Sequence, residues 1–519
     1  MRIAGVLADC LLVAFGAILY TVAIPPAGWS LAGWFALTPL MLLARRHDAR
    51  WAALGGFAYG TLISAGVAGW LRGAISTYFN LAPPSGFLLT FAAYGYYVGT
   101  YTALGAAGWS LLMRWERPVL RWVSVPALWV GIEFARATLL AGFSWELLGY
   151  TVYRDIRLIQ IADITGVWGL SFLIAFTSYV VAELVAAVIP GGEWFGFKRR
   201  FSLVPPVAAT ASIALVLLYG QIRLINWSDT KSSDSASVAL VRTNPSDAKR
   251  FQRMRYASNM AEYVRLTEAA VAPGRVDLVV WPEFALSFYL DHEPVVRAQL
   301  GVLARSLRSA LLIGAPRFNS ATGRARVYNS AFFFSADGTL EGYYDKIRLL
   351  PFAEYQPAIA PAIAARVPED PSGFSAGDRS VVFDLPSTTF GVLICYEVTY
   401  PSLARRLTLA GAQFLVNISN DSWLTKEGDA AALQHFSMAV FRAVENKRTV
   451  ALSTIRGISG FVSPVGRPYS VSGEGRGVII GSVPLGHKLT IYTRLGDWFA
   501  WLCSALAVAA VVGSRWERA

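Results

Sequence analysis

The stretch FGVLICYE, residues 390–397, places an apolar run directly before a cysteine, a tyrosine and a carboxylate. Because both alternating faces of this run are apolar, it predicts a β-strand in a sheet that is covered on both sides. Pro401 follows closely, and proline suits the first turn of a helix. A covered strand that leads into a helix predicts a layered α/β domain, with polar side chains gathered in a cleft at the strand ends.

A similar pattern continues on both sides of this stretch, where short apolar segments alternate with amphipathic ones. The other predicted strands are SVALVRTN (237–244), VDLVVWPE (276–283), ALLIGAPR (310–317), YNSAFFFS (328–335), VVFDL (381–385), FLVNIS (414–419), TVALSTI (449–455) and GVIIGSV (477–483). Helical patterns fill the gaps at residues 249–272, 292–308, 401–411 and 432–446. We therefore predict one α/β domain over residues 237–488, preceded by a polar, serine-rich linker at residues 226–236.

The rest of the chain is much more apolar. Of the 519 residues, 55% are hydrophobic and 15% are charged, and the mean hydropathy is +0.44, which favours a membrane protein. Windows long enough to cross a hydrocarbon layer fall at residues 3–24, 27–44, 52–71, 86–113, 122–141, 163–189, 203–222 and 496–513. These windows predict about eight transmembrane helices, seven in a membrane domain at residues 1–225 and the last at residues 489–519. The first window lacks a small-residue cleavage site, so we interpret it as a retained helix.

The basic residues of the short loops predict the orientation of these helices. Lysine and arginine resist translocation, so loops that carry them stay in the cytoplasm. Four basic clusters fall on the same side: Arg45, Arg46 and Arg50; Arg114, Arg117 and Arg121; Lys198, Arg199 and Arg200; Arg515 and Arg518. Both termini are therefore expected in the cytoplasm and the α/β domain outside it. Much of the net charge of +12 then comes from loops whose basic residues set the orientation of the helices. The charge therefore does not indicate a nucleic-acid partner, and none is expected.

The three cysteines differ in their predicted surroundings. Cys10 and Cys503 lie in predicted membrane helices, which leaves Cys395 as the only thiol of the α/β domain. An exported domain with one unpaired cysteine suggests a reactive thiol. The alternative is a small buried hydrophobic residue at the end of a strand.

Two other strand-end residues carry suitable chemistry for a thiol nucleophile. Glu283 closes VVWPE and Lys346 lies in YYDKIRLLPFAEY. A thiol near its ordinary pKa of about 8.5 is a poor nucleophile at neutral pH until a base or a cation assists it. Glu283 could accept the thiol proton, and Lys346 could stabilise a thiolate and an oxyanion. Each residue alone has an ordinary alternative, as a turn carboxylate or a solvated lysine.

Three motifs occur in order along the chain: WPE, then DK with a following PFAEY, then a cysteine after an apolar strand. Together they resemble the carbon–nitrogen hydrolase (nitrilase) superfamily. The segments PALWVGIEFARATLLAGFSWELLGY (126–150) and IADITGVWGLSFL (161–173) resemble the membrane domain of the apolipoprotein N-acyltransferase family. This resemblance implies an αββα sandwich beside the membrane helices. It also implies Cys395 as nucleophile, Glu283 as base and Lys346 as the stabilising cation. Further family motifs imply supporting roles for Glu354, Tyr396 and Glu397.

The chain departs from the family's usual pattern at several positions. Phe284 and Ser287 follow WPE where the family has a small hydroxyl residue and a proline, and Ala353 replaces a glycine. Ile455 and Arg456 replace an asparagine or threonine before Gly-Ile-Ser. These departures leave the three catalytic residues unchanged and concern contacts to the acceptor or headgroup.

Four residues are candidates for a lipid or substrate cleft: Trp145, Tyr150, Trp423 and Arg456. Membrane-interface aromatics are a plain alternative for the first two. The resemblance implies transfer of a fatty acyl chain from a membrane phospholipid, through a cysteine thioester, to the α-amine of a diacylglyceryl-cysteine apolipoprotein. It places the protein in the bacterial inner membrane with its catalytic domain on the periplasmic side. We expect a monomer.

No cofactor is expected, and the four histidines lack the spacing of metal ligands. Two other functions remain open from the sequence. One is a membrane-tethered amidase that hydrolyses a small amide. The other is a transporter or scaffold that carries an inactive nitrilase-like module.

Overall fold

The computed structural model describes residues 2–72, 82–139, 142–188, 202–229, 234–243, 253–320, 325–351, 353–355, 373–422, 429–473 and 475–516. The chain divides into two compact units. The first contains Met1–Ile225 and Leu495–Ala519, and the second contains Asn226–Arg494.

The first unit is helical. Its described helices are α1 (Arg2–Ala23), α2 (Ser30–Ala36), α3 (Thr38–Arg46), α4 (Ala49–Val67), α5 (Pro83–Leu112), α6 (Pro118–Thr138), α7 (Ala162–Thr165), α8 (Val167–Val188), α9 (Val204–Asp229) and, from the C-terminal segment, α15 (Trp498–Trp516). Short 3₁₀ turns at Leu148–Val152 and Leu158–Ile161 connect α6 to α7. The window at residues 27–44, predicted as one span, forms two short helices that meet at Leu37.

Four helical segments in the described part of the chain are long and apolar enough to cross a membrane. They are Ala4–Ala23, Val167–Val188, Val204–Trp227 and Trp498–Trp516. Helix α6 carries three charged residues, Arg121, Glu133 and Arg136. The backbone N–H of Leu148 donates a 2.7 Å hydrogen bond to Oε1 of Glu133, so this buried carboxylate holds the turn that follows the helix.

Small residues allow α4 and α5 to approach closely. A Cβ at Gly56 would lie 2.6 Å from the carbonyl oxygen of Thr102, and a Cβ at Gly60 would lie 2.1 Å from Oγ1 of Thr102. Glycines four residues apart are a common way for membrane helices to bring their backbones together. Packing of this kind, and not hydropathy alone, holds this pair of helices in contact.

The second unit contains two six-stranded sheets. The strands are β1 (Ser235–Arg242), β2 (Leu278–Trp281), β3 (Ala310–Asn319), β4 (Arg326–Phe334), β5 (Leu340–Asp345), β6 (Val382–Leu385), β7 (Thr388–Ile394), β8 (Phe414–Asn420), β9 (Thr449–Ile455), β10 (Ser459–Val462), β11 (Pro468–Ser472) and β12 (Gly477–Pro484). The strand order is β12-β1-β2-β3-β4-β5 in one sheet and β11-β10-β9-β8-β7-β6 in the other. Strands β1, β2 and β3 are parallel, as are β7, β8 and β9. The carboxyl ends of neighbouring parallel strands therefore lie at the same edge of each sheet.

The helices of this unit are α10 (Arg253–Ala270), α11 (Pro294–Leu307), α12 (Pro401–Leu409), α13 (Ala430–Asn446) and the short α14 (Ile491–Leu495), which ends at the boundary between the units. Helices α10 and α11 share a buried core with the first sheet, in which Tyr263 stacks on Trp281 at 5.0 Å between ring centroids. Helix α12 contacts β7, and α13 contacts β9. The sheets themselves meet where Oγ of Ser453 donates to the carbonyl of Val241. This is the expected nitrilase-like α/β sandwich.

All nine predicted strands of this unit are present, and three more were missed: β5, β10 and β11. Strand β11 is largely exposed and β5 is only partly buried, so neither shows the apolar run that marks a covered strand. Strand β10 is buried but has only four residues, including Gly460 at a φ of 148°. Its register with β11 shifts at this point, which breaks the alternating pattern.

Candidate active site

The three residues predicted to act together all follow strands of the second unit. Glu283 comes after β2, Lys346 directly follows β5, and Cys395 directly follows β7. The chain turns sharply at two of these ends, because Cys395 has a φ of 53° and Phe284, next to Glu283, has a φ of 54°. Non-glycine residues rarely adopt this left-handed region, and such strain concentrates at functional sites.

Gly314 of β3 makes room for the turn that carries Glu283. A Cβ at this position would lie 2.3 Å from the carbonyl oxygen of Pro282 and 2.7 Å from Cα of Glu283. Only a residue without a side chain lets β3 pass so close to this backbone. The position of Glu283 therefore depends on a glycine in the neighbouring strand.

Lys346 is paired with two carboxylates in a buried cluster. Its Nζ lies 2.8 Å from Oε2 of Glu354 and 3.4 Å from Oε1 of Glu283. Burial disfavours the ammonium ion, but the charges of Glu354 and Glu283 outweigh this effect and raise the pKa of Lys346 above its ordinary value. Lys346 therefore carries a fixed positive charge.

Two asparagines that the sequence analysis did not identify hold the carboxylates in place. Nδ2 of Asn329 donates to Oε1 of Glu283 at 2.7 Å and to Oε1 of Glu354 at 2.8 Å. The backbone N–H of Asn420 donates to Oε2 of Glu283 at 2.8 Å. The N–H of Leu350 donates to Oε2 of Glu354 at 2.8 Å. Both carboxylates are thus fixed by strands β4 and β8 and by the loop after β5.

Cys395 is 5% exposed and lies within the electrostatic influence of this cluster. Burial and the negative charge of Glu283 raise the pKa of its thiol well above the ordinary value, and Lys346 opposes them. At neutral pH the thiol is protonated in the resting site. A reaction at this sulfur therefore needs a base that accepts the proton as the nucleophile attacks.

Glu397 joins the loop that carries Lys346 to the turn that carries Cys395. Its Oε1 accepts hydrogen bonds from the N–H groups of Ile347 at 2.7 Å and Arg348 at 3.0 Å. Its Oε2 accepts one from the N–H of Ile394 at 2.8 Å. Burial raises the pKa of Glu397, and the backbone hydrogen bonds oppose this effect. The carboxylate is completely buried, so it contributes to the framework of the site and not to a solvent-facing surface.

The other predicted residues fall into different places. Tyr396 is buried beside Tyr400, with the rings edge to face at 5.1 Å. Arg456 follows β9 with a φ of 48°. Trp145 and Tyr150 are buried in the first unit, where the ring of Trp145 lies 5.5 Å from that of Trp70. Trp423 lies outside the described residues.

No group of three or more His, Cys, Asp or Glu residues with the geometry of a metal site occurs in the described ranges. The cluster at Glu283 instead provides a carboxylate, an ammonium ion and a thiol. These groups suit nucleophilic acyl chemistry, in which one group attacks, one moves protons and one stabilises negative charge.

Known protein families match both units of the chain. The family described as "Carbon-nitrogen hydrolase" matches residues 237–488, and the one described as "Apolipoprotein N-acyltransferase N-terminal domain" matches residues 16–180. Among solved structures, Nit3 of Saccharomyces cerevisiae, a member of branch 10 of the nitrilase superfamily, is 24% identical. That match covers 49% of this chain and 91% of Nit3 with a TM-score of 0.37.

Similar proteins also include enzymes that match over most of the chain. The apolipoprotein N-acyltransferase of Geobacter metallireducens is 35% identical over 515 residues, which cover 98% of this chain and 95% of that protein. The apolipoprotein N-acyltransferase of Bradyrhizobium diazoefficiens is 30% identical, over 81% of this chain and 78% of that protein. Because these similarities run through the helical unit as well as the α/β unit, the chain belongs to the apolipoprotein N-acyltransferase family.

Proposed function

We propose that this protein transfers a fatty acyl chain from a membrane phospholipid to the N-terminal α-amine of an S-diacylglyceryl-cysteine apolipoprotein. The observation that carries the proposal is the buried thiol of Cys395, which experiences the charges of both Glu283 and Lys346 in a member of this family. We assign Cys395 as nucleophile, Glu283 as general base and Lys346 as the cation that stabilises the oxyanion.

In the first half-reaction, the sulfur of Cys395 attacks the ester carbonyl of the phospholipid while Glu283 accepts the thiol proton. The carbonyl oxygen becomes an oxyanion, which Lys346 and the backbone N–H of Tyr396 stabilise. When the tetrahedral intermediate collapses, the ester C–O bond breaks and Glu283 returns the proton to the leaving oxygen. A lysophospholipid departs and the acyl chain remains on Cys395 as a thioester.

In the second half-reaction, the α-amine of the apolipoprotein attacks the thioester. Glu283 accepts a proton from the attacking nitrogen, an amide bond forms and the C–S bond breaks. The sulfur leaves as a thiolate and regains its proton from Glu283. The site returns to its starting state with no net consumption of protons, and the product carries three acyl chains.

A lipid donor is consistent with the long apolar helices of the first unit. Moving an acyl chain of about 16 carbons from the bilayer into water would cost on the order of 12 kcal/mol, at about 0.8 kcal/mol per methylene. A catalytic domain held at the membrane avoids this cost. An amidase that acts on a small soluble substrate would need an anchor at most.

We further propose eight membrane spans, with residues 1–225 as membrane domain, residues 226–236 as linker, residues 237–488 as catalytic domain and residues 489–519 as last span and tail. The basic loop clusters support a periplasmic catalytic domain in the inner membrane. Alkaline phosphatase fused after residue 240 tests this orientation. Activity of the fusion is expected outside the cytoplasm, and an inactive fusion there with an active one after residue 50 would reverse the topology.

The remaining sequence-derived assignments also belong to this proposal. Glu354, Tyr396 and Glu397 support the site, and the buried contacts of the two carboxylates support such roles. We assign Trp145, Tyr150, Trp423 and Arg456 to the contacts with lipid or acceptor, and we expect the monomer to be active.

Mass spectrometry of the purified protein tests the reaction itself. After incubation with a phospholipid of defined acyl chains, we expect a mass increase of one acyl group on the peptide that contains Cys395. Addition of a diacylglyceryl-cysteine peptide should remove this adduct and produce an N-acylated peptide. If a small amide acylated Cys395 as efficiently as the phospholipid, and water removed the adduct as fast as the lipidated peptide, a membrane-tethered amidase would explain the site better.

A further inference from the structure

Two buried side chains donate to the backbone carbonyl of Cys395. Nε2 of His435 lies 3.0 Å from this oxygen, and Nδ2 of Asn417 lies 3.2 Å from it. The carbonyl carries no hydrogen, so Nε2 of His435 must bear the proton of its bond. Asn417 already provides this carbonyl with one hydrogen-bond donor, and the histidine adds a second.

The second nitrogen of the ring faces a carboxylate. Nδ1 of His435 lies 3.8 Å from Oδ2 of Asp421, and both residues are at least 97% buried, with exposures of 3% and 1%. A lone pair on Nδ1 would face the negative charge of Asp421, whereas a proton there is attracted to it. With protons on both nitrogens, the ring is an imidazolium ion.

The surroundings of Asp421 keep it directed at the ring. Oγ of Ser419 donates to its Oδ1 at 2.6 Å, and its backbone N–H donates to the carbonyl of Ile455 at 3.0 Å. A Cβ at Gly457 would lie 2.4 Å from Oδ2, so the backbone after β9 closes over this oxygen.

The charges that act on the ring come from two elements. Asp421 lies after β8 and Glu283 after β2, and Cys395 contributes its carbonyl oxygen. Burial disfavours the imidazolium, but these groups together raise the pKa of His435. The direction of this shift agrees with the doubly protonated ring that the nearby carboxylate of Asp421 favours.

The carbonyl of Cys395 and the N–H of Tyr396 belong to the same peptide group. A cationic donor at the carbonyl draws electron density from that amide, which makes its N–H a stronger hydrogen-bond donor. We propose that His435, held as an imidazolium by Asp421, is a positioning residue that polarises the Cys395–Tyr396 peptide and so strengthens the Tyr396 N–H toward the oxyanion. This inference rests on the proposed thioester chemistry. It adds a residue that assists the first step, the attack of Cys395 on the ester carbonyl.

Two reactions of Cys395 distinguish polarisation of the Cys395–Tyr396 peptide by His435 from structural support of the thiol by the same residue. Thioester formation with a phospholipid passes through an oxyanion, whereas alkylation by iodoacetamide displaces iodide without one. His435→Gln keeps a neutral donor of similar reach but removes the charge. We expect thioester formation to slow about tenfold, because charge-assisted bonds are roughly twice as strong as neutral ones. The alkylation rate should change much less.

The control is His487→Gln, which removes a histidine whose side chain is 54% exposed. Neither rate should change in this variant. Equal slowing of both reactions in His435→Gln would indicate disturbed structure around the thiol and overturn the proposal. An unchanged rate of thioester formation would overturn it as well.

The pH dependence provides a test that does not require the His435 variant to fold. In the wild-type protein, the rate of thioester formation at saturating phospholipid should fall as the pH rises above the raised pKa of His435, because the imidazolium loses its proton. Asp421→Asn should move this fall to lower pH, because the neutral amide no longer stabilises the charge. A wild-type rate of thioester formation that does not fall with rising pH would contradict the inference, whereas a wild-type protein that forms no thioester would contradict the proposed function instead.

Discussion

Lys346 lies closer to Glu354 than to the proposed base, with its Nζ 2.8 Å from Oε2 of Glu354 and 3.4 Å from Oε1 of Glu283. Glu354 therefore provides the main counter-charge for the ammonium ion. Glu283 is held from other directions, by Nδ2 of Asn329 and the N–H of Asn420. This division of contacts supports the proposed roles, in which Glu354 holds the lysine and Glu283 exchanges protons.

Glu354→Gln should slow thioester formation by about 100-fold, because Lys346 loses the partner that fixes its position. Removing one member of a buried ion pair commonly destabilises a protein by about 3 kcal/mol, and the remaining contact with Glu283 should keep the loss near this value. The measurements are the rate of acyl adduct formation and the thermal unfolding temperature. Glu341→Gln changes an exposed carboxylate on β5 and should affect neither quantity. A fully active Glu354→Gln variant would show that Glu283 alone can hold the lysine.

Glu283→Gln should move two reactions of Cys395 in opposite directions. The negative charge of Glu283 raises the pKa of the thiol, so its removal should lower that pKa and shift the pH profile of iodoacetamide alkylation to lower pH. Thioester formation should nevertheless fall by about 100-fold to 10,000-fold, because the proton acceptor is lost. Lys346→Met should shift the alkylation profile to higher pH, since the ammonium ion lowers the pKa of the thiol.

These alkylation experiments require a background without Cys10 and Cys503, for example with both replaced by alanine. Cys395→Ser in the same background gives the baseline. If Glu283→Gln shifted the profile to higher pH, the carboxylate would stabilise the thiolate by another route, and its assignment as base would be wrong.

The sequence predicted the residues at the strand ends because an apolar strand followed by a reactive side chain is a local pattern. Glu283, Lys346 and Cys395 each have this pattern within a few residues. Asn329 and Asn420 have no such signal, because they lie within β4 and β8 and reach the site only through the arrangement of the two sheets. The window at residues 27–44 was predicted as one helix and forms two for a related reason: hydropathy records the apolar character of the window but not the break at Leu37.

Glu397→Gln tests whether the loop of Lys346 and the turn of Cys395 are held as one framework. An amide in place of the carboxylate directs an NH₂ group toward the backbone N–H groups that now donate to it, so at least one loses its acceptor. We expect a loss of about 2 kcal/mol in unfolding free energy, together with slower thioester formation and altered alkylation of Cys395. The exposed Asp384→Asn serves as the control. Unchanged stability and rates would show that Glu397 is not needed to hold the two segments.

Gly314→Ala tests the close approach of β3 to the turn of Glu283. A methyl group there would lie 2.3 Å from the carbonyl of Pro282 and 2.7 Å from Cα of Glu283, so the base has to move. Overpacking of this kind costs about 1–3 kcal/mol, and a displaced catalytic group can slow a reaction by about 100-fold. Gly473→Ala is the matched control, because no atom lies within 4 Å of the added methyl group. Thioester formation should fall in the first variant and stay constant in the second. Equal rates in both would mean that the turn can adjust without displacing Glu283, and that its tight packing against β3 supports the fold but not the reaction.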